Sequence, residues 1–249
     1  MEQRKPKFYS GTLLSWQLYS ALKDLYYTEL KKVLTTNGTR NKLHGSTIQG
    51  ITAFPLAGSI WEALINEEFT SDMISCVYKN NLLFQILDEA EKWSVKTKTL
   101  NFPKFFFGKT FDESKSIYSD LTSIIQIRNN IVHYKHSLYE GPDKAIKNLR
   151  AKKITYPKPV GIECPWSMEL NTTECIRFCI NTISALVNEL SNLETPEYKE
   201  QCFPINTQVF SPINEKEVIE VFKEYNVDPK SINNDRFVEI SNTKRKTKY

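Results

Sequence analysis

Residues 123–136 read SIIQIRNNIVHYKH, and within them Arg128, Asn129 and His133 fall close together. Their side chains have complementary chemistry. A guanidinium is a forked, permanently charged donor suited to phosphate oxygens. An imidazole titrates near neutral pH, so it can take or give a proton during a reaction. An asparagine can orient either partner through its amide. The arginine is also oddly placed. At 100° per residue from Ile117, Leu121, Ile124, Ile131 and Val132 fall within about 60° and form an apolar stripe, with Arg128 near its centre. Arginine is seldom buried without a partner. Two accounts are open: Arg128 pairs with a buried carboxylate while His133 packs, or the stripe faces something other than a dry core.

Spacing narrows what the three residues can do. Asn129 and His133 are four apart and share a helix face. Arg128 and His133 are five apart, about 140° around an ideal helix, and do not face each other. They converge only if the helix ends near His133 or if a second copy supplies the other half. Lys135 would also fall on the apolar stripe of a continuing helix, so a break is expected at about Tyr134. The pair His133 and His136 has no third ligand nearby, so no metal site is read and no cofactor is expected.

The elements that must position these residues are helical. The chain has 249 residues, ordinary hydrophobic (40%) and charged (25%) content, and only eight glycines, which favours an all-α fold over a turn-rich β fold. A long helix is expected from Phe8 to about Leu34, with Leu14, Leu18, Leu22 and Leu25 on one side and Asn37-Gly38 ending it. A second runs from about Thr47 to Phe69, where Pro55 either kinks the helix or starts its main part. A third covers Asn81 to Trp93, and the fourth starts near Asp112 and carries Arg128. Asn171 and Glu174 form a capping pair for a fifth, TTECIRFCINTISALVNELSNL. The aromatic and basic stretch SVKTKTLNFPKFFFGKTF, about 94–111, has no clear period and reads as an inserted loop packed by its phenylalanines. The expectation is a bundle of about five helices over 1–200. A polar extension over 201–249 follows, with one short helix at NEKEVIEVFKEY and a basic, disordered end.

Charge adds one further candidate. A net charge of +4 makes no global electrostatic case for nucleic acid. The run KAIKNLRAKKITYPK, however, carries Lys144, Lys147, Arg150, Lys152, Lys153 and Lys158 without an acid. It is either a solvated helix face or a patch that tracks a polyanion backbone. Five cysteines form no paired framework, and Cys175 and Cys179, one turn apart, suit core packing. With no apolar leader and no membrane-length apolar run, a reducing, cytoplasmic setting is expected.

RNNIVHYK resembles the R-x4-6-H signature of the HEPN superfamily, in which an Arg followed by a polar residue opens a motif that ends an α-helix. PLAGSIWEALINEEF is similar to the apolar helix that many HEPN families place two helices upstream, with Glu62 and Asn66 at its polar positions. The resemblance covers roughly residues 8–195. It implies a bundle of about five helices, a dimer in which two motifs face each other, and a metal-independent endoribonuclease. Arg128, Asn129 and His133 match the motif. In one subfamily of toxins a Tyr stands two residues after the His; here Lys135 occupies that place and Tyr134 comes one position early.

Metal-free RNA cleavage uses the 2′-hydroxyl as nucleophile. It needs a base, an acid for the leaving 5′-oxygen, and a cation against the phosphorane charge. Two His133 and two Arg128 in one dimer cleft would supply all of these, flanked by Lys135, His136 and the Lys144–Lys153 cations. RNA and a second copy are the expected partners, with an antitoxin or regulatory protein as a further candidate and no membrane. The alternatives are a non-catalytic HEPN module that dimerises or binds RNA or protein, and an unrelated helical scaffold with a chance motif.

Overall fold

The computed structural model describes residues 13–35, 49–77, 90, 92–133, 141–156, 165–201 and 205–227, and within 69–77 the backbone alone. Among them the chain is all-α. The helices are α1 (Leu14–Thr35), α2 (Ala53–Val77), α3 (Val95–Phe107), α4 (Ser116–Val132), α5 (Asp143–Ala151), α6 (Thr173–Leu193), α7 (Pro196–Gln201) and α8 (Glu215–Glu224), with 3-10 turns at Gly50–Thr52 and Trp166–Leu170. The Asn37-Gly38 stop, most of the helix expected at 81–93, and Tyr134, Lys135, His136, Lys158 and the basic end lie outside the described residues.

α2 is the central helix because it is apolar nearly all round. Phe54, Ala57, Ile60, Trp61, Leu64 and Ile65 are all buried, and the helix packs against α1, α4 and α6 at once. Pro55 sits in its first turn, where a missing N–H does no harm, so it starts the helix and does not kink it. α1 turns Tyr19, Leu22, Tyr26 and Leu30 inward, whereas Leu14 is exposed and Leu18 and Leu25 are half-buried. The core stripe therefore runs through Tyr19, Leu22, Tyr26 and Leu30, and of the four expected leucines only Leu22 lies on it. Burial lifts the Tyr26 hydroxyl to about 12 and raises that of Tyr19 further.

The segment 94–111 is not a loop: α3 occupies most of it. The Ser94 hydroxyl accepts the Thr97 N–H at 3.1 Å and opens the helix. Gly108, at φ 66°, closes it in the left-handed conformation. The buried face mixes Lys98 and Thr99 with Phe102 and Phe107, which hides the apolar period. Thr99 is satisfied there, accepting from the Trp61 indole at 2.8 Å while donating to the Val95 carbonyl at 2.8 Å. α6 is capped by Thr172, whose hydroxyl accepts the Cys175 N–H at 3.0 Å. Asn171 instead takes the Ile51 N–H at 3.2 Å, tying the 50–52 turn to the start of α6. Cys175 and Cys179 are buried thiols of the core, and burial pushes the first up to about 12.

The described part of the C-terminal extension is built into the bundle. Ile205, Phe210, Ile213, Val218 and Phe222 join the same core, so residue 200 does not separate two cores. The short helix there is α8. The Tyr19 hydroxyl anchors the segment by donating to the Ser211 carbonyl at 2.9 Å, with the Phe210 carbonyl at 3.3 Å. Tyr19→Phe is expected to lower the unfolding free energy by about 1–2 kcal/mol in urea denaturation, because a buried acceptor loses its donor. A tyrosine kept neutral by burial also makes stability fall as pH rises past the ordinary value near 10, since the unfolded chain then loses its proton first. Tyr19→Phe should flatten that alkaline decline.

Candidate functional site

α4 carries the site and its length sets the geometry. Leu121, Ile124 and Ile127 are buried, but the last turn leaves the bundle: Arg128 and Ile131 are half-buried, and Asn129, Asn130, Val132 and His133 are exposed. The helix ends at Val132. His133 caps it at φ −105° and ψ 44°, its N–H donating to the Asn129 carbonyl at 2.9 Å. The break is thus where the charge of Lys135 on the apolar stripe demanded one.

Arg128 is at the rim of the core, not in it. Its aliphatic stem lies over Gly58 of α2; a Cβ there would stand 3.2 Å from the arginine Cγ. Nη2 donates to Glu62 Oε2 at 3.0 Å, and Nη1 to Asn129 Oδ1 at 3.2 Å. Both ion-pair partners keep solvent access, with side chains 26% and 34% exposed. A pair this open contributes about 1 kcal/mol or less. An arriving phosphate can therefore compete with Glu62 for the guanidinium.

One turn beyond Glu62, Asn66 Oδ1 accepts from Lys98 Nζ at 2.8 Å. Gly58, Glu62 and Asn66 thus form a stripe along α2, with Arg128 of α4 and the buried Lys98 of α3 laid upon it. Gly58 and Lys98 were not among the sequence candidates. Gly58 was legible from its four-residue step to Glu62. Lys98 was not, since the segment holding it showed no helical period.

The remaining candidates divide. Arg150 is committed to Glu169 through a fork, Nε to Oε2 at 2.8 Å and Nη2 to Oε1 at 2.7 Å. Lys152 pairs with Asp120 at 3.1 Å and lies over the Phe178 ring. Their own side chains stay exposed, but their carboxylates are buried, unlike Glu62, and would be left unpaired if a phosphate took either cation. Both are thereby tied to holding α5 and the turn after it to the bundle. Lys144, Lys147 and Lys153 are exposed. Among the described residues no contact joins the His133 imidazole to Arg128, and no cluster of three metal-binding side chains occurs. No described helix is long and apolar enough to cross a membrane.

Glu62→Ala is expected to lower any phosphate-dependent activity about tenfold by freeing the guanidinium to wander, while Glu62→Gln keeps an acceptor and most of the rate. Melting of both variants should shift little, because the pair is partly exposed. Unequal kcat values with matched stability would establish Glu62 as the residue that positions Arg128. No protein-family model, curated protein or solved structure matches this chain.

Proposed function

We propose that the chain is a metal-independent endoribonuclease of HEPN type, acting in the cytoplasm as a toxin or antiviral defence effector. The observation that supports this reading is the end of α4. An exposed histidine ends the helix five residues after a solvent-accessible arginine; the Asn129 side-chain oxygen accepts from the guanidinium, and the Asn129 backbone carbonyl accepts the backbone N–H of His133. One chain carries one such histidine. Val132, 56% exposed beside it, gives a second copy an apolar surface to cover. In the resulting cleft one His133 takes the 2′-hydroxyl proton, the other protonates the leaving 5′-oxygen, and the two Arg128 forks hold the phosphate.

The test is to incubate purified protein with a mixed RNA pool in chelator and analyse the ends. Cleavage to 2′,3′-cyclic phosphates supports 2′-hydroxyl attack; intact RNA, with no growth arrest on expression, counts against it. The ion pair between Arg128 and Glu62 favours a second reading, a non-catalytic module for dimerisation or for binding RNA or protein. A protein that is dimeric in solution, binds RNA and never cuts it would establish that alternative.

A further inference from the structure

Residues 92–111 carry Lys92, Lys96, Lys98, Lys104 and Lys109 and no acid, interleaved with Trp93 and five phenylalanines. The fold absorbs part of this segment. Lys98 is buried on Asn66, Lys96 lies 3.9 Å from Glu113 and over the Tyr118 ring, and Phe102 and Phe107 are core residues. What is left over is a surface. Phe105 is 53% exposed, the one phenylalanine so exposed among the described residues. Its ring stacks on Trp93 with centroids 6.0 Å apart and planes 18° from parallel. Lys104 and Lys109 beside it are exposed.

An apolar ring held at the surface has a reason to stay there if something flat covers it. We propose that the stacked Trp93–Phe105 pair is a platform on which an unpaired base of single-stranded RNA stacks, with Lys104 and Lys109 taking the flanking phosphates; the choice of RNA rests on the ribonuclease reading. Trp93 backs Phe105 and fixes its ring, so little side-chain freedom is lost when a base arrives. Lys104 precedes Phe105 in the chain and Lys109 follows it by four residues, and both are exposed, so their long side chains are free to reach phosphates flanking the stacked base. Stacking reads no sequence, because every base has a π-face, but it requires an unpaired one. The platform therefore selects strand state, not sequence. α3 also delivers Lys98 to the α2 stripe that holds Arg128, so one helix links the platform to the candidate site.

Binding is measured in a His133→Ala background, which slows cleavage, using a short fluorescein-labelled single-stranded RNA and a blunt-ended two-strand duplex of matched length. Phe105→Ala should weaken single-strand binding at least about fivefold and leave the duplex unchanged. Phe105→Trp should retain affinity. Lys104→Gln with Lys109→Gln should reduce the salt dependence of binding. Single-strand affinity of Phe105→Ala within twofold of its parent overturns the platform. In the active protein Phe105→Ala should raise KM and spare kcat, since stacking is uniform binding. Wild-type protein that cuts no RNA but binds single strands through Phe105 would sink the ribonuclease reading and leave the platform standing. Wild-type cleavage with an unaffected Phe105→Ala variant does the reverse.

Discussion

His133→Ala protein is expected to cleave RNA at least about a hundredfold more slowly than wild type, with its melting temperature unchanged. The size follows from losing general acid–base transfer, which contributes about 10²–10⁴-fold. Unchanged melting follows from exposure: the imidazole has no described contact, and the backbone N–H that caps α4 is kept on substitution. Arg128→Ala should lose a similar factor through the phosphorane charge. It should also lose up to about 1 kcal/mol of stability, because its stem packs on Gly58 and its fork on Glu62. The two variants separate catalysis from structure. Equal cleavage by all three proteins would refute the ribonuclease reading. Mixing the two inactive variants tests the shared cleft. Their heterodimer keeps one of the two His133 and one of the two Arg128, on different copies. Cleavage faster than either variant alone, yet slower than wild type because one proton-transfer group is still missing, therefore requires residues from both copies; no gain is expected of a self-contained site.

Gly50→Ala has the largest expected effect on the fold, about 3 kcal/mol. A Cβ at Gly50 would stand 2.2 Å from the Leu170 carbonyl oxygen and 2.5 Å from the Thr172 nitrogen. Both are backbone atoms, which cannot rotate aside as a side chain does. The 50–52 turn must then part from the start of α6, and the bond from the Ile51 N–H to Asn171 goes with it. Gly108→Ala is the control. That glycine has a left-handed φ of 66° but no neighbour within 4 Å, so it should lose only about 1 kcal/mol. Urea midpoints of the two variants decide the matter. If Gly50→Ala unfolds no earlier than Gly108→Ala, the close apposition of turn and helix is refuted.

Much of the scaffold was legible in the sequence because periodicity and helix ends are local. The helical class, the body of α2, the end of α4 near His133 and the short helix α8 follow from apolar spacing, Gly scarcity and misplaced charge. α3 was missed for a physical reason: its buried face holds Lys98 and Thr99, satisfied by Asn66 and Trp61 from another helix. No local pattern announces a polar group whose partner lies in α2. The cap of α6 was displaced by one residue because Asn171 is drawn to Ile51, a partner 120 positions away.

The sequence alone determined which chemistry the RNNIVH stretch offers and that Arg128 and His133 cannot meet on one straight helix. The tertiary structure decided where the guanidinium goes. It is held at the core rim by a glycine and a carboxylate one turn apart on α2, with its charge still open to water. The same structure took Arg150 and Lys152 out of the cationic patch by giving each a carboxylate. A charge in a sequence is only a capacity; which partner spends it depends on Coulomb and hydrogen-bond distances that packing sets.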